Sequence, residues 1–184
     1  TLFEKVRLAA ILGTWQATLT DFRYLSKEWK TNCEEEALLG VSLTGIMDNE
    51  YTNGTYDDRF STDTGDVYAV QDQLPALLNM LKEAAVDTNK KVAKQLGINP
   101  SAAITCVKPS GTVSQLVDAS SGIHARHSPH YIRTVRGDKK DPLCQFLVEK
   151  GIPHESDVTK PEHTWVFSFP IRTAPNAICR NDKS

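Results

Sequence analysis

Ile104-Thr-Cys-Val-Lys-Pro-Ser-Gly-Thr-Val-Ser-Gln-Leu116 decides the reading of this chain. An apolar, β-prone run over residues 102–107 breaks into Lys108-Pro109-Ser110-Gly111-Thr112-Val113-Ser114. Pro109 fixes its own φ and restrains Lys108, while Gly111 lets the main chain approach a ligand with no Cβ in the way. Ser110, Thr112 and Ser114 add hydroxyl donors, and a short helix expected from about Thr112 would turn free N–H groups toward an anion. The order is not that of a Walker P-loop, because the lysine precedes the glycine. Serine-rich turns also simply reverse a chain. Local chemistry therefore leaves both an anion cradle and a plain turn open.

Upstream, Thr1-Leu-Phe-Glu4 reads as a capping box, and Leu2, Val6, Ala9, Leu12, Trp15, Leu19 and Phe22 repeat with helical period to about Tyr24. Residues 26–36 read as a polar connection, and 38–46 as a strand with the continuous apolar character of a sheet covered on both faces. Residues at about 48–72 form a polar excursion rich in Asp, Asn, Thr and Gly. The firmest helix spans 74–96. Pro75 stands in its first turn, Leu74, Leu77, Leu81, Ala85, Thr88, Val92 and Leu96 share a face, and Gly97 closes it.

Downstream, 131–136 and 165–171 read as strands around a helix that starts at Asp141-Pro142 and ends at Gly151. Strands alternating with helices imply a parallel α/β sheet or barrel with ligands at the carboxyl ends of the strands. Lys108 to Ser114 falls at such an end.

With 184 residues and 40% hydrophobic content, the chain can bury a core of its own, and we treat residues 1–184 as a single piece. A net charge of -2 gives no general pull toward nucleic acid or membrane. No apolar run approaches the ~20 residues that span a bilayer. Cys33, Cys106, Cys144 and Cys179 lack a Cys-x-x-Cys pair, which suits reduced thiols in a cytoplasmic protein. A start without Met and an end without a closing element suggest a piece of something longer.

Three runs occur in a telling order: Gly40-Val-Ser-Leu-Thr-Gly-Ile46, then Cys106-Val-Lys-Pro-Ser-Gly-Thr-Val-Ser-Gln-Leu116, then Ser120-Ser-Gly-Ile-His124 followed by Ser128-Pro-His-Tyr-Ile-Arg-Thr-Val-Arg136. Together they resemble the large-subunit fold of ribonucleotide reductases, above all the monomeric, adenosylcobalamin-dependent (class II) ribonucleoside-triphosphate reductases.

The resemblance implies an α/β fold, here a partial (half) ten-stranded barrel. It also implies an oxidoreductase that makes deoxyribonucleotides by thiyl-radical chemistry, with adenosylcobalamin as cofactor. A ribonucleoside di- or triphosphate would be the substrate, and a thioredoxin-type protein the reductant. It assigns substrate phosphates to Pro109, Ser110, Gly111, Thr112, Val113 and Ser114. Lys108, His124 and Arg126 are possible nucleotide or cobalamin contacts.

The family's radical loop carries Asn-Pro-Cys-x-Glu, and no such run occurs here. Thr31-Asn32-Cys33-Glu34-Glu35 is a decoy with the wrong spacing, and the C-terminal cysteine pair is missing. No residue of this chain is therefore assigned a catalytic role, and the expected contribution is a substrate cradle. The alternative is a non-catalytic nucleotide-binding or assembly module, such as one chain of a split enzyme. The edges of a half-barrel are expected to drive self-association.

Other clusters carry blander readings. His124, His127 and His130 would need a helix to share one side, and Gly122 and Pro129 oppose one, so no metal site is assigned. Arg133 and Arg136 should point to opposite faces of a strand. Cys106 reads as a small buried residue, and Trp15, Trp29 and Trp165 read as packing residues.

Overall fold

Thr1 caps the first helix as its sequence requires: its side chain accepts the Glu4 amide and the Glu4 carboxylate reaches back, opening α1 (Leu2–Gln16). The computed structural model describes residues 1–55, 70–108 and 110–183. They divide into two units, Thr1–His124 and Ala125–Ser184. Most of the polar excursion over 48–72, and Pro109, lie outside the described residues.

In the first unit α1 packs against α4 (Val70–Leu96), which begins about one turn earlier than the sequence suggests and so holds Pro75 inside the helix. Val6, Ala10, Leu81, Ala85 and Ile104 form the buried cluster, flanked by Leu39, Val41 and Leu43. The buried face of α1 is therefore Val6, Ala10 and Thr14, not the stripe through Leu12, Trp15 and Leu19. Those three, with Leu8, are more than half exposed, and the helix stops at Gln16. Small side chains win the buried face because they let two helices approach closely.

The buried face of α4 likewise follows Leu81, Ala85, Asn89 and Ala93, leaving Leu96 exposed. Asn89 is fully buried and satisfied on both ends. Its amide nitrogen donates to Thr14 Oγ1 at 3.0 Å and Ser101 Oγ at 2.8 Å, and its oxygen accepts the Ser101 amide at 2.9 Å. One side chain thus ties α4, α1 and the turn after α4 together.

The polar stretch read as a connection is a helix, α2 (Lys27–Glu36), capped by Ser26 accepting the Trp29 amide and carrying a Lys30–Glu34 pair. A 3₁₀ turn (Ile46–Asp48), α3 (Glu50–Asn53) and a four-residue α5 (Val113–Leu116) complete this unit.

The second unit is a three-stranded sheet with one helix. β1 (His130–Asp138) and β2 (His154–Ser156) flank β3 (Thr164–Arg172), and both pair with it antiparallel. The order β1-β3-β2 leaves β1 and β2 parallel, joined through α6 (Pro142–Glu149), with β3 inserted between them. In place of the expected parallel neighbours, the described strands of this unit pair antiparallel, and the Asp157 amide donates to Thr164 O at 3.0 Å where a seven-residue loop returns the chain from β2 to β3.

Asp141 caps α6 through the Leu143 amide at 2.8 Å and Pro142 follows at the first turn, as the sequence indicates. A Cβ on Gly137 would run into Cys144 Sγ, so glycine is what lets this helix lie on the strand. Burial pushes the Cys144 thiol above its ordinary range, with Asp141 and Asp138 adding to the effect.

Arg133 and Arg136 do lie three apart on β1. Arg133 folds over the Tyr131 ring, while Arg136 Nε meets Asp157 Oδ2 at 2.7 Å. Trp165 packs edge-on to His154 with Lys139 Nζ 3.7 Å above its ring, whereas Trp15 and Trp29 are more than half exposed.

Replacing Asn89 with leucine should lower stability by about 1–3 kcal/mol, because Thr14 and Ser101 lose buried partners. Urea unfolding measures this. Asp157 gives a pH test. The Thr159 amide, Arg136 and the Thr159 hydroxyl hold its carboxyl down from 3.8 to about 2. Its folded pKa lies below the unfolded one, so its stabilisation is complete above about pH 4 and fades toward pH 2. Trp165 fluorescence during acid titration should show that step in the native chain and lose it in Asp157→Asn.

Candidate functional site

Two extended segments run side by side where strands were expected. Leu39 N donates to Ala103 O at 2.9 Å, Val41 N to Ile104 O at 2.8 Å, and Cys106 N to Val41 O at 3.0 Å, giving one parallel bridge between Val41 and Thr105. Parallel segments release their chains at the same end, so Thr44 and Ser110 emerge together. Cys106 is exposed rather than buried, since the short pairing leaves its outer face uncovered among the described residues.

At that mouth three loops meet on two hydroxyls. Thr44 Oγ1 lies 2.8 Å from Ser110 Oγ and 3.0 Å from the Ser120 carbonyl, and the Gly122 amide donates to Ser110 Oγ at 2.6 Å and to Thr44 Oγ1 at 3.3 Å. Around them Gly45 N donates to Ser120 O at 2.9 Å, Ile46 N donates to Gly122 O at 3.3 Å, and Ser120 N donates to Asp48 Oδ2 at 2.6 Å. The bonds of Thr44 span 66 to 78 residues of sequence, and that between Gly122 and Ser110 spans 12.

A hydroxyl has one proton, and that settles the directions. Only Thr44 can donate to the Ser120 carbonyl, so Ser110 must supply the proton between the two hydroxyls. The Ser110 proton is then spent inside the protein. Ser114 is fully buried and spends its own on Gly111 O at 3.1 Å. Two of the three hydroxyls read as ligand donors thus shape the loop instead.

What the loop leaves open is main chain. The amides of Ser110, Gly111 and Thr112 donate to no partner among the described residues, and Gly111 and Thr112 are exposed. A Cβ on Gly111 would meet nothing within 4 Å. Thr112 precedes α5 without a side-chain capping bond, leaving its hydroxyl outside the node, and Val113 is exposed. Ser120 Oγ is buried with no partner.

The remaining sequence candidates scatter. Lys108 is exposed, its side chain lying where a Cβ on Gly40 would be, and its amide donates to Ser42 Oγ at 3.2 Å. His124 is exposed at the end of the first unit. Arg126 belongs to the second unit, is 5% exposed, and its backbone pairs with Ile178 and Arg180. Sequence reasoning missed Thr44, Asp48 and Gly122 as parts of the site. The Leu-Thr-Gly and Ser-Gly dipeptides were visible signals of polar turns, but nothing local says that the turns touch.

Comparison with known proteins gives this chain its family, the ribonucleotide reductases. No family model matches the chain. An adenosylcobalamin-dependent ribonucleoside-triphosphate reductase of Lactobacillus gasseri is 33% identical over 74% of this chain and 19% of its own length. One from Lacticaseibacillus paracasei is 31% identical over 94% of this chain and 26% of its own length. A crystal structure of a B-12-dependent (class II) ribonucleotide reductase superposes with a TM-score of 0.72 at 28% identity, covering 97% of this chain and 26% of that one. The chain is homologous to one part of the adenosylcobalamin-dependent ribonucleotide reductases, spanning about a fifth to a quarter of the relatives it matches.

Gly45 tests the loop junction. It sits at φ +72°, and a Cβ there would lie 3.0 Å from Ala119 Cβ. Gly45→Ala should cost about 1–2 kcal/mol for the left-handed conformation alone. Hydrogen exchange should then quicken at the Ser120 and Gly122 amides.

Proposed function

We propose that this chain supplies the phosphate cradle of a ribonucleotide reductase, holding a ribonucleoside di- or triphosphate by its charged tail while the ribose is reduced. The reading rests on one observation: three consecutive main-chain amides, Ser110 to Thr112, have no partner among the described residues, at the end of an extended segment and with open space around Gly111. Oriented amides bind phosphate without a lysine clamp, because each N–H carries a fixed partial positive charge. The Thr112 hydroxyl adds a side-chain donor, while Ser110, Val113 and Ser114 contribute backbone shape. The gain is positional, since a gripped polyphosphate fixes the ribose relative to the reacting groups.

The thiyl-radical step belongs elsewhere in this reading, because the chain carries no Asn-Pro-Cys-x-Glu run. The same absence favours a second reading, in which the chain is one component of a split reductase and binds nucleotide without reacting on its own. Both readings require the remaining reductase polypeptide as partner. The exposed stripe of Leu8, Leu12, Trp15 and Leu19 offers it an apolar face. A thioredoxin-type reductant follows the family pattern, and self-association would follow from the unpaired edges of a half-barrel.

Adenosylcobalamin would generate the radical in the intact enzyme. Of the three residues considered for it, Arg126 is buried, and the exposed Lys108 and His124 alone do not make a cradle for a corrin. No step of this proposal is routed through the cofactor.

Gly111→Val separates the ligand role from folding, because its side chain enters empty space. Calorimetric titration with tripolyphosphate should show binding weakened by roughly tenfold or more, with unfolding changed by less than about 0.5 kcal/mol. Unchanged affinity in the variant would remove the cradle from this loop.

A further inference from the structure

Several features were weighed against the loop junction. The apolar stripe on α1 has nothing on it that identifies what covers it. Cys33 and Cys106 line one groove with Glu36, but no group of three that could hold a metal forms among the described residues. The free edge of β1 carries Arg133 and Arg136, charges that discourage strand addition. The junction at Thr44 carries an inference further than any of these.

We infer that Thr44 is the positioning residue of the anion cradle, aiming the Ser110 to Thr112 amides through the Ser110 hydroxyl. This inference rests on the cradle reading and adds a residue that touches no ligand. The geometry supplies the argument. Thr44 Oγ1 uses every bonding capacity it has: one proton to the Ser120 carbonyl, and two lone pairs to the Ser110 hydroxyl and the Gly122 amide. The Ser110 hydroxyl donates to Thr44 and accepts Gly122 at 2.6 Å, with one lone pair left over.

Ser110 is the first residue of the amide run, so fixing its Cβ and Oγ fixes where the run begins. The loop has few other ties. Ser114 N bonds back to Ser110 O at 3.1 Å and the Ser114 hydroxyl to Gly111 O, both within the loop itself. Among the described residues, the only side-chain bonds holding Ser110 to the rest of the unit pass through Thr44 and Gly122.

Valine is nearly isosteric with threonine but can neither donate nor accept. In Thr44→Val the Ser110 proton is freed, the Ser120 carbonyl keeps the Gly45 amide, and Gly122 is left as the remaining tie on the Ser110 side chain among the described residues. Thr44→Ser keeps the hydroxyl and should keep the aim.

The test is calorimetric titration of the full chain with tripolyphosphate, run in parallel with hydrogen exchange at Gly122. Native chain and Thr44→Ser should bind within about twofold of each other, and Thr44→Val should bind roughly five- to tenfold more weakly. Ser110→Ala should weaken binding similarly, and the Thr44→Val/Ser110→Ala double variant should be no worse than either single one, because both break the same link. Additive losses, or equal weakening in Thr44→Ser and Thr44→Val, would overturn the inference. Faster Gly122 exchange with native affinity in Thr44→Val would do the same while leaving the cradle intact. Absence of binding by the native chain would instead strike the cradle itself, and Thr44's role with it. Should Thr44→Val not fold, Ser110→Ala with native-like affinity decides against the link.

Discussion

A hydroxyl carries one proton, and at the junction of three loops that limit decides what the site can be. Thr44 must give its proton to the Ser120 carbonyl, Ser110 must give its own to Thr44, and Gly122 must lend its amide to both oxygens. The Ser120 carbonyl also accepts the Gly45 amide, whereas a half-buried hydroxyl left here without a partner would cost about 1–3 kcal/mol. Satisfying them together forces residues 44–48, 110–114 and 119–122 into one arrangement. The Ser110, Gly111 and Thr112 amides are left without partners among the described residues, while the Ser110 and Ser114 hydroxyls bond within the protein.

The same logic operates at a second place in the first unit. Asn89, with no exposed surface, uses both ends of its amide to hold α1, α4 and the 99–101 turn in register. The apolar cluster beside it is small and rich in alanine, so close helix approach and polar locking share the load that larger side chains carry in bigger cores. In the second unit, Asp157 collects the Thr159 amide and hydroxyl and the Arg136 guanidinium at the start of the β2–β3 hairpin. In each case one short side chain with a full set of partners fixes a junction between segments.

A chain of this size with so many large apolar residues exposed is unusual on its own. Leu8, Leu12 and Trp15 on α1, and Leu19 just beyond its end, are all more than half exposed. The relatives are four to five times longer than the matched region. The sequence periodicity through Leu12, Trp15 and Leu19 does not mark burial among the described residues.

Local rules settled much of this protein in advance. The Thr1–Glu4 box, the Asp141-Pro142 start, the strands near 131–136 and 165–171 and the long fourth helix could all be read from neighbouring residues, because caps, prolines and periodicity act over a turn or two. The phosphate-like run and its family resemblance were legible for the same reason: they are contiguous. Three things were not. The α2 helix hid in a polar stretch with no apolar face, the insertion of β3 between β1 and β2 depended on a hairpin closing first, and Thr44 became part of the site only by meeting residues 66 to 78 positions away. Hydroxyl protons are shared across space and not along the chain. Sequence could therefore name Ser110 as a donor, while only the folded structure could show where its proton goes.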